Sequence, residues 1–176
     1  MQQNRKPNPF IGRQLEVRSL ENIQRNQTPA IIIVYGRRRV GKTELLEHVF
    51  KKRNLLKFEG IQGKNSEYQR TIVMQQLAEH MNQPLLREVK IKNWVDVFNY
   101  IHQCTIQGEW TIYLEELQWL ANYDDELIGE LKYSWDNFFR HNKKIVLILC
   151  GSSPSFMINH VAHSKALYNR SQHEIH

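Results

Sequence analysis

The stretch that decides the fold reads AIIIVYGRRRVGKTELL and covers residues 30–46. Its first part, Ala30–Tyr35, is a continuous apolar and β-branched run, which is typical of a strand buried on both faces. The next part, Gly36–Thr43, fits G-x-x-x-x-G-K-[ST] at every fixed position. Apolar residues at positions 45, 46, 49 and 50 then predict one face of an amphipathic helix over Thr43–Lys52. A strand, a glycine-containing loop and a helix in this order predict a phosphate-binding site.

Each fixed position of this loop has a chemical reason. The glycines let successive backbone N–H groups face one anion, and the start of the following helix adds its positive dipole end. Lys42 is expected to reach the β- and γ-phosphates of a nucleotide, and the Thr43 hydroxyl is expected to bind Mg²⁺. The predicted phosphate-binding residues are Gly36, Arg37, Arg38, Arg39, Val40, Gly41, Lys42, Thr43 and Glu44.

The three arginines at the variable positions of the loop allow two interpretations. Arg37, Arg38 and Arg39 either contact phosphate or an acidic neighbour, as the guanidinium geometry favours, or face solvent and raise the local potential. The sequence leaves both open.

Short apolar runs alternate with amphipathic patterns along the rest of the chain. Helices are predicted over Arg13–Arg25, Ser66–Met81, Asn93–Thr105, Asp125–Phe139 and Ser155–His163, and strands over Leu55–Phe58, Trp110–Leu114 and Ile145–Cys150. Because strands that alternate with helices favour parallel pairing, we expect an α/β fold, a three-layer α/β/α sandwich around a mostly parallel sheet. The length predicts one domain over residues 1–176.

An acidic pair follows the third predicted strand. Glu115 and Glu116 come directly after Trp110–Leu114, at the kind of strand end where a carboxylate can face the metal of a phosphate site. Glu115 is therefore a candidate Mg²⁺ ligand, together with Thr43, and Glu116 is a candidate general base. The alternative is two exposed glutamates at the end of a strand.

The fourth predicted strand ends in Gly151-Ser152-Ser153. Ligands of α/β sheets bind beyond the carboxyl ends of the strands, so a small hydroxyl here could orient water or contact the γ-phosphate. The alternative is a Gly-Ser turn that caps the next helix, with Ser153 as N-cap.

Composition narrows the class of protein. The chain has 176 residues, 41% of them hydrophobic, and no apolar stretch approaches the roughly 20 residues of a membrane span. Two cysteines without metal or redox spacing favour a cytoplasmic protein with reduced thiols. Residues 1–60 hold 13 Lys and Arg against five Asp and Glu, so the basic excess lies in the first third. Such a patch suits nucleotide phosphates or DNA, or is a solvated face.

Taken together, the motifs resemble the archaeal-type predicted ATPase family in the AAA+/STAND branch of P-loop NTPases. The resemblance covers about residues 9–175. It rests on an ordered set of segments, namely Phe10–Arg13, Val34–Leu46, Tyr113–Leu120, Trp135-Asp136, Leu149–Ser153 with Phe156-Met157, and Ala166–Arg170.

The resemblance implies a P-loop NTPase with the sheet order 5-1-4-3-2, and it implies ATP and Mg²⁺ as cofactors. The segment that includes Ile11, Gly12 and Arg13 matches the part that lies near the adenine. Glu115 and Glu116 match a position that usually reads Asp-Glu, and Ser152 or Ser153 matches the sensor position. Arg170 matches the arginine of a Leu-Tyr-Gly-Arg signature, in which Asn169 replaces the glycine.

The resemblance also raises an expectation about the end of the chain. Members of the family continue into a fifth strand, a lid and often a further C-terminal domain. We therefore expect a domain truncated before the lid, with the fifth strand missing, and partners such as DNA or a protein that bind through the missing regions.

Three functions follow from these observations. The first is an ATPase that hydrolyses ATP with Mg²⁺, with Lys42 and Glu116 as catalytic residues and a homo-oligomer as a possible assembly. The second is a degenerate or non-hydrolysing nucleotide switch, which Glu115 in place of Asp favours. The third is a DNA-associated module that uses the basic first third. No interaction with a membrane is expected.

Overall fold

A computed structural model describes residues 13–37, 41–165 and 167, and the backbone of residues 171–175. The strands are β1 Ala30–Tyr35, β2 Asn54–Glu59, β3 Trp110–Glu115, β4 Ile145–Gly151 and β5 Ser171–Ile175. The helices are α1 Gln14–Asn26, α2 Lys42–Phe50, α3 Ser66–His80, α4 Trp94–Cys104, α5 Leu117–Leu120, α6 Glu126–Asn137 and α7 Pro154–Phe156, which continues as the π-helix Met157–Ala162. Two short 3-10 helices cover Pro84–Glu88 and Phe139–His141.

The five strands form one sheet in the order β2-β3-β4-β1-β5, and every described pairing is parallel. This order confirms the expected 5-1-4-3-2 arrangement. β1 and β4 are buried along their whole length because helices cover both faces of the sheet at its centre.

The core lies in two layers, one on each face of the sheet. On one face, Ile31 and Ile33 of β1 pack with residues of α3, α4 and α6. On the other face, Ile32 and Val34 pack with residues of α1 and α2. Alternate side chains of one apolar strand thus enter opposite layers, as the pleat requires. The three-layer α/β/α architecture is confirmed.

The expectation that the fifth strand is missing was wrong. β5 pairs in parallel with β1, with Ile33 opposite Glu174 and Val34 opposite Ile175. The sequence of β5, SQHEI, lacks the apolar run by which the other strands were found. The pairing is made by backbone N–H and C=O groups, which every sequence has. It gives hydrogen-bond partners to the backbone groups along the edge of β1, which would otherwise have none in the sheet.

Candidate functional site

The functional residues meet at the carboxyl ends of three adjacent strands. β1 leads into the phosphate loop, β3 ends at Glu115 and β4 ends at Gly151, while α2 begins at the same edge. The cavity between them has a volume of about 450 Å³. It is lined by Gly41, Lys42, Thr43, Glu44, Glu59, Glu115, Glu116, Cys150, Gly151 and Ser152.

The phosphate loop is held together by its own lysine. Lys42 Nζ donates hydrogen bonds to the carbonyl oxygens of Gly36 and Arg37, both at 2.8 Å. Gly41 precedes α2 with a φ of +77°, a conformation that favours glycine. The described part of the loop therefore presents the start of α2 and a buried ammonium group to the cavity.

Thr43 and Glu115 lie close together although 72 residues separate them. The Thr43 hydroxyl donates to Glu115 Oε1 at 2.7 Å, and the Tyr113 hydroxyl donates to the same oxygen at 3.0 Å. A hydroxyl and a carboxylate oxygen are hard donors of the kind that Mg²⁺ prefers, with phosphates and water completing its shell. No group of three or more His, Cys, Asp or Glu side chains in the described part of the chain forms a metal site. The Thr43–Glu115 pair thus fits Mg²⁺ only together with a nucleotide.

A lysine that sequence reasoning missed contacts the same carboxylate. Lys57 Nζ of β2 lies 2.7 Å from Glu115 Oε2, and Lys57 stands opposite Tyr113 in the β2–β3 register. Burial alone would raise the pKa of the Glu115 carboxyl, but hydrogen bonds from Lys57 and Thr43 hold that pKa below its ordinary value. Burial alone would lower the pKa of Lys57, but Glu115 raises it above the ordinary value. The sequence held one indication of this role for Lys57, which is a charged residue inside an otherwise apolar predicted strand.

Glu116 projects into the cavity from a strained turn. Its φ is +52°, a left-handed conformation that is uncommon for a residue with a side chain and often marks a functional site. Its Oε2 accepts hydrogen bonds from Gln118 Nε2 at 2.7 Å and from the Ser152 hydroxyl at 2.5 Å. The strand-end serine therefore touches the candidate general base directly, while a contact of Ser152 with water or the γ-phosphate stays a prediction.

The turn that carries Glu116 packs against Gly60, at the end of β2. The Gly60 N–H donates to the carbonyl of Glu115 at 3.0 Å. A Cβ atom at this position would lie 2.9 Å from the Glu116 carbonyl oxygen and 2.8 Å from the Leu120 nitrogen, both backbone atoms. Only a residue without a side chain fits here.

We expect Gly60→Ala to lower the free energy of unfolding by about 2–3 kcal/mol, because neither backbone segment can move without disturbing the sheet end. Urea denaturation followed by circular dichroism measures the effect. Gly129→Ala is the matched control, since a Cβ at this position of α6 meets no atom within 4 Å. That control should leave stability unchanged or raise it by up to about 1 kcal/mol. Equal stability of both variants would contradict the close packing.

Several predicted site residues are described only in part or not at all. Ile11, Gly12, Arg38, Arg39, Val40 and Arg170 lie outside the described residues. Arg13 directly precedes α1 and is half-buried, and Arg37 is exposed. A contact of the first segment with adenine, and contacts of the loop arginines or Arg170 with phosphate, stay predictions.

Cys150 also lines the cavity, at the end of β4. Burial raises the pKa of its thiol to about 11, so the neutral thiol is the dominant form at pH 7. At the end of β4, Cys150 therefore acts as a small, uncharged side chain.

A model of a family described as an ATPase domain predominantly from Archaea matches residues 10–176. The chain belongs to this family. The resemblance found in the sequence is thereby confirmed, and the chain is a domain of the ATPase type. No curated protein matches the chain in sequence.

Several solved structures share the fold of this chain. The ORC2 protein of Aeropyrum pernix, solved in ADPNP-ADP complexes, has a TM-score of 0.66 at 14% identity, over 99% of this chain and 50% of its own. A Walker-type ATPase of Pyrococcus abyssi has a TM-score of 0.58 at 18% identity, over 94% of this chain and 53% of its own. The Cdc6p protein of Pyrobaculum aerophilum has a TM-score of 0.64 at 12% identity, over 99% of this chain and 47% of its own. At these identities the likeness shows the fold, and the ATPase domain spans about half the length of these proteins.

None of the helices in the described part of the ATPase domain is long and apolar enough to cross a bilayer.

Proposed function

We propose that this domain binds ATP together with Mg²⁺ and hydrolyses it to ADP and phosphate. The observation that carries the proposal is the contact of Thr43 with Glu115, at 2.7 Å, in a cavity that Lys42 and Glu116 also line. A helix start, an ammonium group, a hydroxyl and two carboxylates at one strand edge are the groups that phosphoryl transfer to water requires.

Lys42 would act on the phosphates. It is held on two backbone carbonyls of its own loop, which offer only partial charges. A phosphate oxygen carries a full charge and forms a stronger, charge-assisted hydrogen bond, so the ammonium group is expected to turn toward it when nucleotide binds. There it would stabilise the charge that develops on the transferred group.

Thr43 and Glu115 would hold Mg²⁺, which supplies charge neutralisation at the phosphates when bound. Glu115 replaces the usual Asp of the family, yet its Oε1 still reaches the Thr43 hydroxyl. The longer side chain is thus compatible with the role predicted for it, and this supports the ATPase over the degenerate alternative.

Glu116 would orient the attacking water and accept its proton. Its Oε2 is held by Gln118 and Ser152, so the carboxylate has a fixed position beside the cavity. A base positioned in this way contributes to rate through geometry as well as through proton transfer.

The assembly and the partners remain part of the proposal. A homo-oligomer in which Arg170 serves a neighbouring site, and DNA bound through the basic first third, are both predictions. The Drosophila ORC, which has the same fold at a TM-score of 0.57 and 14% identity, was solved bound to DNA. That likeness is a reason to test DNA binding, and it adds no residue to the candidate ATP site.

The proposal is tested by comparing the wild-type protein with Thr43→Ala. Binding of a fluorescent ATP analogue is measured with Mg²⁺ and with EDTA, and phosphate release is measured with ATP and with GTP. We expect the wild-type protein to bind more tightly with Mg²⁺ and to release phosphate from ATP. Thr43→Ala should lose roughly tenfold in the Mg²⁺-dependent part of the affinity, since one charge-assisted contact is removed.

Thr71→Ala, at an exposed position of α3, is the matched control and should behave like the wild-type protein. Tight binding without phosphate release would favour the non-hydrolysing switch. The absence of nucleotide binding in the wild-type protein would refute the proposal.

A further inference from the structure

The ammonium group of a lysine contacts the candidate metal ligand Glu115. Lys57 Nζ lies 2.7 Å from Glu115 Oε2 and 3.8 Å from Glu47 Oε1, and 5.4 Å from the centre of the Tyr113 ring. The Lys57 side chain is 28% exposed and that of Glu115 is 17% exposed. Ion pairs this shielded are screened by salt less than pairs on the open surface.

The oxygens of Glu115 already have donors. Oε1 accepts from Thr43 and Tyr113, and Oε2 accepts from Lys57. A divalent cation that approaches this carboxylate therefore meets a partner whose charge is compensated, and it is repelled by the ammonium group.

Glu47 offers the ammonium group a second position. It lies on α2, and its side chain is 54% exposed, so it remains solvated without an ion partner. A lysine side chain has four rotatable bonds and can move between two carboxylates that both lie within 4 Å of it.

We infer that Lys57 is a positioning residue that competes with Mg²⁺ for Glu115, and that Glu47 accepts Lys57 when the metal binds. The inference rests on the proposed function, because it concerns the metal of the proposed ATP site. Without nucleotide the lysine holds Glu115. With nucleotide the phosphates add ligands for the metal, and the lysine moves to Glu47. The site then takes Mg²⁺ as a metal–nucleotide complex and not as the free ion.

The experiment measures how strongly metal and nucleotide binding are coupled. The affinity of a fluorescent ATP analogue is determined with saturating Mg²⁺ and with EDTA, and the ratio of the two affinities is compared between variants. This ratio is independent of turnover. Since the removal of a like charge at contact distance favours the metal, we expect Lys57→Met to raise the ratio by roughly tenfold or more.

Further variants are expected to change this affinity ratio in other ways. Glu47→Gln removes the second position for the ammonium group, so the ratio should fall below the wild-type value. Lys57→Arg keeps the charge and should retain a ratio close to that of the wild-type protein.

Lys52→Met removes the same charge from an exposed lysine between α2 and β2. It is the matched control, and its affinity ratio is expected to match that of the wild-type protein. Circular dichroism verifies that each variant is folded, and Glu47→Gln, at the more exposed site, tests the inference independently if Lys57→Met does not fold.

The possible failures are distinguishable. If the wild-type protein binds no nucleotide, the proposed function fails, and this inference fails with it. If the wild-type protein shows coupling to Mg²⁺ but Lys57→Met has the same ratio, or weakens binding equally with Mg²⁺ and with EDTA, the inference alone is overturned. An unchanged ratio in Glu47→Gln overturns the role of Glu47.

Discussion

Replacing Lys42 by alanine is expected to weaken ATP binding by roughly 100-fold. The ammonium group supplies charge-assisted hydrogen bonds, and their removal from a buried phosphate site is worth about 3 kcal/mol. Every 1.4 kcal/mol corresponds to a factor of about ten in affinity. Titration of the protein into a fluorescent ATP analogue with Mg²⁺ measures the change.

Lys42 also holds the phosphate loop through the carbonyl oxygens of Gly36 and Arg37, so the variant must be shown to be folded. Circular dichroism and a thermal melt serve this purpose. Lys51→Ala removes a lysine directly after α2, outside the phosphate loop, and should bind ATP as the wild-type protein does. Wild-type affinity in a folded Lys42→Ala variant would show that ATP does not bind at the phosphate loop.

Replacing Glu116 by glutamine is expected to reduce the rate of ATP hydrolysis by about 10²- to 10³-fold while ATP binding stays within a few-fold of wild type. The amide has the same shape as the carboxylate but cannot accept the proton of the attacking water, and general bases contribute rate factors of about this size. An amide oxygen can still accept the hydrogen bonds that Gln118 and Ser152 donate. Position and packing are therefore preserved, and the loss should fall on turnover.

Single-turnover phosphate release, measured beside equilibrium binding, separates the two quantities. Glu88→Gln changes an exposed glutamate of the 3-10 helix after α3 and is the matched control. A variant with wild-type turnover would remove Glu116 from the mechanism. A loss of binding as large as the loss of rate would assign it to nucleotide or metal binding.

Long-range hydrogen bonding explains why parts of the site were missed. The phosphate loop is local, since its strand, glycines, lysine and threonine adjoin one another, and the sequence predicted it together with the helix that follows. The Lys57–Glu115 pair depends on the register of two strands separated by an intervening stretch that holds α3 and α4. No periodicity within β2 indicates which residue of β3 Lys57 will face.

The same reason explains Gln118 and β5. Gln118 lies in α5, and its contacts with Glu116 and Ser152 join two strand ends that are 36 residues apart in the sequence. β5 has polar side chains and was missed because its place in the sheet depends on backbone pairing with β1.

What the sequence determined by itself was the class of fold, the phosphate loop and the acidic pair, because apolar periodicity and a contiguous motif are properties of neighbouring residues. The tertiary structure decided which partners those residues have. It placed Thr43 on one oxygen of Glu115, Lys57 on the other, and Ser152 on Glu116. Such contacts arise from strand order and register, which the packing of the whole sheet fixes and no single segment encodes.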